Sequence, residues 1–329
     1  MKPLLHHAVA ALLCGGALLG ATAAATDTEL ERFAEAVAER HDLDPEHLRT
    51  VLAAAEHDER VLERIASPAE GLPWHEYRDI FLTKERIDAG ADYWAEHREL
   101  LSQVSEEHGV AEPVVLAILG VESYFGTRRG EHRVLDALTT LGFSDHPRAG
   151  FFREELEAFL LLSHENAWDP TQPTGSYAGA LGKPQFIPSS YRAYAVDQDG
   201  DGRRDLLDNP ADAAGSAAHY LARHGWQPGA PVAVTVSAEG TAWRDALAAT
   251  DRPVAPEHTV DELKELGVEV PERLDGDTPA ALIELEGAEG PELWLTLQNF
   301  YVLTRYNHSA LYAMAVHQLA EALAEERSE

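Results

Sequence analysis

Residues 117–126 read AILGVESYFG, an apolar helical run with one carboxylate, Glu122, set into it. On a helix, the residues three, four, seven and eight positions before Glu122 share its face. Those four residues are all apolar: Leu119, Ile118, Val115 and Val114. Because burying an unpaired charge costs several kcal/mol, such a carboxylate needs a partner or a raised pKa.

Two interpretations of Glu122 follow from this pattern. A glutamate in the last helical turn can reach solvent or pair with Arg128 or Arg129, which come shortly afterwards. A carboxylic acid that stays protonated in an apolar cleft can instead donate its proton to a leaving oxygen, as in glycoside cleavage. Helical periodicity is compatible with both interpretations.

The composition narrows the classes of function. The chain has 329 residues, 45% of them apolar, which is enough for about two domains with a sizeable core. It carries 57 acidic and 26 basic residues, a formal net charge of −31. A surface this acidic repels nucleic acid and anionic lipid, so the sequence predicts neither as a partner. A lysine-poor, acidic surface is typical of proteins from high salt, and equally of composition drift in a GC-rich genome.

The first 25 residues are predicted to be a secretory signal peptide. Lys2 is followed by an apolar stretch too short to span a bilayer and by small residues around Ala23 to Ala25. The only cysteine, Cys14, lies inside this segment. Lipoprotein anchoring at Cys14 is disfavoured because Leu13 precedes it where a small residue is expected. The sequence thus predicts a periplasmic protein without disulfides.

Most of the remaining chain has helical periodicity. Segments such as 44–58, 87–109, 112–126 and 209–226 have proline near the start or glycine near the end, as helices often do. Residues 230–297 differ, because apolar and polar residues alternate there with the period of strands. The pattern predicts a helical body with a small β-containing insert.

A glycine-rich segment, residues 175–197, carries the second cluster of chemically distinctive residues. It reads GSYAGALGKPQFIPSSYRAYAVD and lacks a regular period. Glycines allow a backbone to approach a ligand closely, and aromatic and amide side chains suit sugar faces and hydroxyls. A rigid surface loop is the alternative interpretation.

Six blocks of sequence resemble one known family. They are GVESYFG, LDALTTLGF, FFREELEAFLLL, GSYAGALGKPQFIPSSY, DQDGDGRRDLLDNPADAAGSAAHYLARHGW and NFYVLTRYNHSALYAMAVHQLA. In that order they resemble the lytic murein transglycosylase B family, bacterial enzymes that cleave peptidoglycan, and the likeness spans roughly residues 30–325. The resemblance implies a mainly α (α+β) fold with a lysozyme-like catalytic core. The implied domains are an N-terminal helical domain 26–110, a core 111–229 with an EF-hand-like loop 197–212, a β insert 230–297, and a return to the core 298–329.

The resemblance implies that Glu122 is a single catalytic acid and base. Such an enzyme cleaves the bond between N-acetylmuramic acid and N-acetylglucosamine without water and forms a 1,6-anhydro ring. No carboxylate occurs in GSYAGALGKPQF to act as a second group, although Glu131 stays open as one. A hydrolytic muramidase and a non-catalytic, calcium-dependent wall-binding protein are the alternatives.

Further site residues follow from matching positions in the family. The implied substrate-binding residues are Ser176, Gln185, Phe186, Tyr306, Tyr301 and Arg148. Phe186 is expected to be a stacking surface for a sugar, and Tyr306 is expected to line the cleft. For Tyr301 core packing is an equal alternative, and for Arg148 a surface ion pair is preferred. The implied partners are peptidoglycan glycan strands and cell-wall synthesis proteins, with the chain a monomer.

The stretch DQDGDGRRDLLD, residues 197–208, has the spacing of a calcium loop. Aspartates at positions one, three and five with glycine at six are typical of EF-hands. The predicted ligands are Asp197, Asp199, Asp201, the carbonyl of Arg203 and a closing acid. The resemblance favours Asp212 over Asp208 as that acid. A structural Ca²⁺ is therefore expected, whereas the sixteen histidines are scattered without an HExxH motif and predict no zinc site.

Overall fold

The computed structural model describes residues 16–66 and 71–327, and side chains from residue 28 onward. Cys14 and most of the predicted signal peptide lie outside this part. Among the described residues, no helix combines the length and apolar character needed to cross a bilayer.

Helices dominate the described chain, which confirms the predicted mainly α fold. They are α1 Gly16–His41, α2 Pro45–Ala53, α3 Glu59–Ile65, α4 Trp74–Phe81, α5 Lys84–Glu96, α6 Arg98–His108, α7 Glu112–Ser123, α8 Val134–Gly142, α9 Ala149–Glu165, α10 Pro188–Tyr194, α11 Pro210–Arg223, α12 Val260–Glu265, α13 Gln298–Tyr306 and α14 Ala310–Glu326. The strands are β1 His132–Arg133, β2 Thr174–Gly175, β3 Ala233–Thr235, β4 Ser237–Ala238, β5 His258–Thr259, β6 Val268–Glu269, β7 Pro279–Gly287 and β8 Gly290–Thr296.

Helix starts follow the local chemistry. Asp44 caps α2 because its carboxylate accepts the Glu46 amide, and Pro45 occupies the first helical position. Asn209 caps α11 in the same way, with Pro210 next. These side chains satisfy backbone amides that have no partner within the helix.

The single helix predicted over residues 87–109 is wrong. The structure has two helices there, because His97 leaves helical geometry at φ −110° and ψ 24°. The His97 ring packs on Tyr93 with 4.3 Å between centroids, and its amide donates to the Tyr93 carbonyl. The chain therefore bends between α5 and α6.

The helical body is organised around α7, which packs against α5, α6, α11 and the C-terminal helix α14. All residues of α7 from Val114 to Gly120 are buried. The contact with α14 brings the end of the chain back to the middle of the body, so the β insert is an excursion from a continuous helical core.

The strands β3 to β8 lie between residues 233 and 296. β3, β8, β7 and β5 form an antiparallel sheet in that spatial order, with Ile283 opposite Trp294 in the central pair. One face of this sheet builds a second apolar core, which includes Leu263, Leu282 and Leu295. The insert thus has its own core beside the main one.

A short pairing positions the functional site. β1, which follows α7, pairs antiparallel with β2, which opens the glycine-rich segment, and His132 lies opposite Gly175. Gly130 has φ +90°, and a Cβ there would lie 2.0 Å from the Gly175 carbonyl oxygen. The close approach requires glycine and brings the two distinctive segments side by side.

Candidate active site

Glu122 lies in the last turn of α7, on a face that is in the core as predicted. Val114, Val115, Ile118 and Leu119 are all buried, whereas the Glu122 side chain is half-buried. The carboxylate therefore sits at the boundary between the apolar core and solvent.

The helix ends at Ser123, three residues before the end of the segment 112–126 that has helical periodicity. Tyr124 and Phe125 have φ of +50° and +58°, an uncommon left-handed pair of non-glycine residues. The Phe125 ring is buried against Gly90 and Gly120, where an added Cβ would lie 2.8 Å from the ring. Burial of Phe125 stabilises this turn, and the turn fixes the position of Glu122 at the end of the helix.

A phenol from the far end of the chain binds the carboxylate. The Tyr312 hydroxyl donates to Glu122 Oε1 at 2.6 Å. Burial raises the pKa of Tyr312 well above its ordinary value, and the negative charge of Glu122 raises it further. The phenol therefore stays protonated and acts as a fixed donor to the carboxylate.

Sequence reasoning missed Tyr312. It lies in an apolar run of α14, where periodicity predicts a core position. The signal that could have identified it is its hydroxyl, because a tyrosine buried on a core helix usually has a hydrogen-bond partner. The sequence separation of 190 residues from Glu122 concealed which partner that is.

Tyr306, predicted to line the cleft, lies beside Tyr312 in the structure. Its ring stacks on that of Tyr312, with 6.2 Å between centroids and 12° between planes. Its hydroxyl donates to the Pro184 carbonyl at 2.7 Å, which joins α13 to the glycine-rich segment. Burial raises the pKa of Tyr306 well above its ordinary value, and the negative charge of Glu122 raises it further.

Ser123 links the turn that ends α7 to the glycine-rich segment. Its hydroxyl donates to the Lys183 carbonyl at 2.6 Å and accepts the Gly126 amide at 2.9 Å. Gly126 has φ +88°, and the Lys183 side chain occupies the space beside it. The two segments that the sequence singled out are thereby held in fixed register.

A cavity of about 920 Å³ is lined by Thr127 and Arg128, shortly after α7, and by residues of the glycine-rich segment. Ser176 and Gln185, both predicted to contact sugar, line it together. Ser176 Oγ accepts the amides of Ala178 and Ala180, which fixes the hydroxyl. Gln185 adopts φ +51°, and its side-chain amide donates to the carbonyls of Arg129 and Gly182. The cavity thus presents two preset polar groups to a ligand.

Phe186 is not the sugar-stacking surface that was expected. It is only 2% exposed, and its ring packs between those of Tyr220 and Tyr306 at 5.6 and 5.7 Å. Its neighbours already cover the ring faces that a sugar would need. Phe186 instead supports Tyr306, and through it the acid.

Two further predicted binding residues, Arg148 and Tyr301, lie outside the cavity lining. Arg148 is exposed, with its guanidinium 4.3 Å from the Phe151 ring centroid in a cation–π contact, and it has no ion pair within the described part of the chain. Tyr301 is half-buried on α13, five residues before Tyr306. The roles of both residues in substrate binding stay predictions.

The two arginines considered as partners of Glu122 have other contacts. Arg128 Cζ lies 4.5 Å from the Tyr124 ring centroid. Arg129 binds Asp208 at 2.9 Å and also donates to the Leu207 carbonyl. Asp208 is therefore engaged in an exposed ion pair.

The acidic loop brings three of its predicted ligands together. Carboxylate oxygens of Asp197, Asp199 and Asp212 lie within 4.8 Å of one another, a spacing that fits one cation. Asp212 is fully buried and accepts the amides of Gln198 and Asp205. Of the two candidate closing acids, Asp212 joins this cluster.

Asp201 and Arg203 are not part of that group. Asp201 Oδ1 accepts the Arg203 amide at 2.8 Å, while Asp197 accepts the amides of Gly200, Asp201 and Gly202. These bonds curl the loop around its acidic centre. Further ligands from this loop could reach a metal only if some of these hydrogen bonds were broken.

Comparison with known proteins places this site in a family. A profile described as "Transglycosylase SLT domain" matches residues 25–321. The membrane-bound lytic murein transglycosylase B of Escherichia coli (strain K12) is 34% identical over 310 residues, 91% of this chain and 84% of the relative.

Solved structures give the same result. The soluble lytic transglycosylase SltB1 from Pseudomonas aeruginosa matches with a TM-score of 0.85 and 41% identity, over 92% of this chain and 100% of that one. Escherichia coli SLT35 in complex with calcium matches at 0.81 and 36%, over 91% and 94%. Pseudomonas aeruginosa SltB3 in complex with NAG-NAM-pentapeptide matches at 0.79 and 29%, over 91% and 79%.

These matches confirm the predicted lysozyme-like architecture and extend over nearly the whole described chain. The chain belongs to the transglycosylase SLT domain family.

Proposed function

We propose that the chain is a lytic transglycosylase of peptidoglycan in which Glu122 acts first as the acid and then as the base. One observation carries this assignment: a half-buried carboxylate at the end of a core helix, bound by the Tyr312 phenol. The chain that follows this helix, from Thr127, lines the cavity of Ser176 and Gln185. Family membership supports the reaction class, and the site chemistry supports the residue.

The first step breaks the bond between N-acetylmuramic acid and N-acetylglucosamine. Protonated Glu122 gives its proton to the glycosidic oxygen as the C1–O bond breaks. The muramyl acetamido group supports the charge that develops at C1. Tyr312 donates to the carboxylate that is left behind, which favours its ionised form at this stage.

The second step needs no water. Ionised Glu122 takes the proton of the muramyl C6 hydroxyl, and that oxygen bonds to C1 to close the 1,6-anhydro ring. Because the hydroxyl belongs to the reacting sugar, its attack is intramolecular and has a large advantage in effective concentration. The acid is regenerated for the next cleavage.

Hydrolysis by a muramidase is the runner-up, and one residue carries it. Glu131 lines the same cavity and could activate a water as a second carboxylate. It is exposed, whereas Glu122 is half-buried and bound by a phenol. We therefore assign the chemistry to Glu122 alone.

Mass spectrometry of digested peptidoglycan tests the proposal. The fragments should end in 1,6-anhydromuramic acid, be lighter than hydrolytic fragments by one water and resist borohydride reduction. Fragments with the full mass of water addition and a reducible end would establish the muramidase instead.

The acidic loop is proposed to bind one structural Ca²⁺ through Asp197, Asp199 and Asp212. The carboxylate spacing and the calcium complex of the relative SLT35 support this site. Asp201 and the Arg203 carbonyl remain candidate ligands. The ion would supply stability and no catalytic step, because the proposed reaction is complete without it.

The working environment follows from the proposed substrate. An enzyme of glycan strands has to reach the cell wall, so we propose export to the periplasm by the N-terminal signal, with cell-wall synthesis proteins as partners and the chain as a monomer. The relative from Escherichia coli is named membrane-bound. Fractionation of cells that express the full chain tests both export and tethering.

A further inference from the structure

Arginines concentrate at the cleft of this strongly acidic protein. Four of them line the cavity that holds Ser176 and Gln185: Arg60, Arg64, Arg128 and Arg129. Only two glutamates, Glu63 and Glu131, line it with them. On a chain with a net charge of −31, an excess of positive charge at one cavity requires an explanation.

Two of the four arginines already have carboxylate partners. Arg60 binds Asp58 through two nitrogens at 2.9 and 2.7 Å, and Arg129 binds Asp208 at 2.9 Å. Arg64 and Arg128 are exposed and have no carboxylate within 4 Å in the described part of the chain. These two guanidiniums can therefore bind an incoming anion without first breaking an ion pair.

Arg128 is positioned by an aromatic ring rather than by a counter-ion. Its Cζ lies 4.5 Å from the Tyr124 ring centroid, and the Tyr124 hydroxyl donates to the Glu85 carbonyl at 3.1 Å. Tyr124 lies two residues after Glu122, in the turn that ends α7. The contact with a ring orients the guanidinium while leaving its donors available for a ligand.

A second arginine adds to the positive charge behind Tyr124. Arg86 is 6% exposed, and its Cζ lies 5.1 Å from the same ring centroid. Its Nη1 donates to the Ile80 carbonyl, while its Nε has no partner in the described part of the chain. No described carboxylate lies within 4 Å of it. A buried cation without a counter-ion strengthens the attraction for an anion at Arg128.

We propose that Arg64 and Arg128 form an anion subsite that binds a carboxylate of the peptide branch of the glycan strand. This rests on the proposed function, because it takes peptide-bearing glycan as the substrate. A relative binds NAG-NAM-pentapeptide, and a peptide of this kind has at least its terminal carboxylate to offer. A strand whose sugars contact Ser176 and Gln185 lies in the same cavity as the two arginines. Guanidinium and carboxylate groups pair through two parallel hydrogen bonds.

The test compares three substrates at low ionic strength. They are glycan strands with pentapeptide branches, the same strands with the peptides removed, and strands whose peptide carboxyls are converted to amides. The double variant Arg64→Gln, Arg128→Gln should raise the KM for the first substrate about tenfold, since hydrogen bonds to charged groups are among the stronger ones. For the other two substrates the increase should be at least fivefold smaller. Arg273→Gln, an exposed arginine of the insert, controls for the change in net charge.

Equilibrium binding of the same strands distinguishes failure of this subsite from failure of the proposed function. If the parent binds the first substrate more tightly than the amidated one but does not cleave it, the proposed function fails and the subsite stands. If the double variant changes KM and Kd equally for all three substrates, or changes neither for the first, the subsite is wrong. The melting temperatures of the parent and the variants should agree, which excludes loss of fold as the cause.

Discussion

The end of α7 and the acidic loop both hold carboxylates, but in opposite ways. Glu122 is half-buried, lies on an apolar face and accepts a bond from a phenol. Asp197 and Asp212 instead accept backbone amides on both of their oxygens. A carboxylate that must gain and lose a proton needs a partly apolar environment. Carboxylates that hold a cation must stay ionised. Burial raises the pKa of Asp212, and the amide donors of Asp205 and Gln198 oppose that rise.

The largest effect in this comparison belongs to the acid. Glu122→Gln should fold normally and lose cleavage by about a thousandfold or more, because an amide cannot supply the proton. The assay is release of soluble fragments from purified peptidoglycan. Glu131→Gln, which alters a cavity carboxylate of the same size, should stay within about tenfold of the parent. Activity within tenfold of the parent in a folded Glu122→Gln variant would refute the assignment.

The phenol that binds the acid should contribute less than the acid itself. Tyr312→Phe removes one hydrogen bond to a charged group and should lower kcat about tenfold to a hundredfold. Tyr93→Phe is the matched control, since the Tyr93 hydroxyl is buried without a partner in the described part of the chain. It should leave kcat unchanged. Equal kcat for Tyr312→Phe and the parent would mean that the phenol only fills space.

The acidic loop should affect stability rather than chemistry. Calcium in excess of its dissociation constant should raise the melting temperature by about 5 °C by mass action on the folded state. Asp199→Asn should remove that rise, whereas Asp277→Asn, an exposed aspartate of the insert, should keep it. Identical melting curves with calcium and with chelator would contradict the site.

The smallest predicted effect separates loss of fold from loss of activity at low pH. His317 shares α14 with Tyr312, and burial lowers its pKa to about 4. The unfolded chain takes up a proton near pH 6.5 that the folded chain refuses until about pH 4. The free energy of unfolding should therefore fall by roughly 2 kcal/mol between pH 7 and pH 4.5.

Chemical denaturation at pH 7 and pH 4.5 measures this effect. His317→Gln should show a smaller loss of stability between the two pH values than the parent, because the glutamine does not titrate. If the parent and the variant lose stability equally, His317 does not control the acid response. If cleavage fails at a pH where the parent is still folded, the loss reflects titration in the active site rather than unfolding.

The sequence predicted what depends on local pattern. The prolines near the starts of α2 and α11 and the alternation in β7 and β8 are short-range features, and all appear in the structure. The apolar face that carries Glu122 is also local, because it follows from helical periodicity alone. The resemblance to a family then supplied the roles that no single segment reveals.

Two features that the sequence did not predict depend on distant contacts. Phe186 is buried because Tyr220 and Tyr306, both remote in sequence, cover its ring. Tyr312 was missed for the same reason, since its partner Glu122 lies 190 residues away. The break at His97 is different, because its ring packs on Tyr93 only four residues earlier, a local contact that periodicity does not register.

Cleavage in ¹⁸O-labelled water tests most directly the claim that Glu122 works without a second carboxylate and without water. No ¹⁸O should enter the new fragment ends, in the parent or in Glu131→Gln. One ¹⁸O for each bond cleaved would contradict it, and loss of that label in Glu131→Gln would identify Glu131 as the residue that activates water.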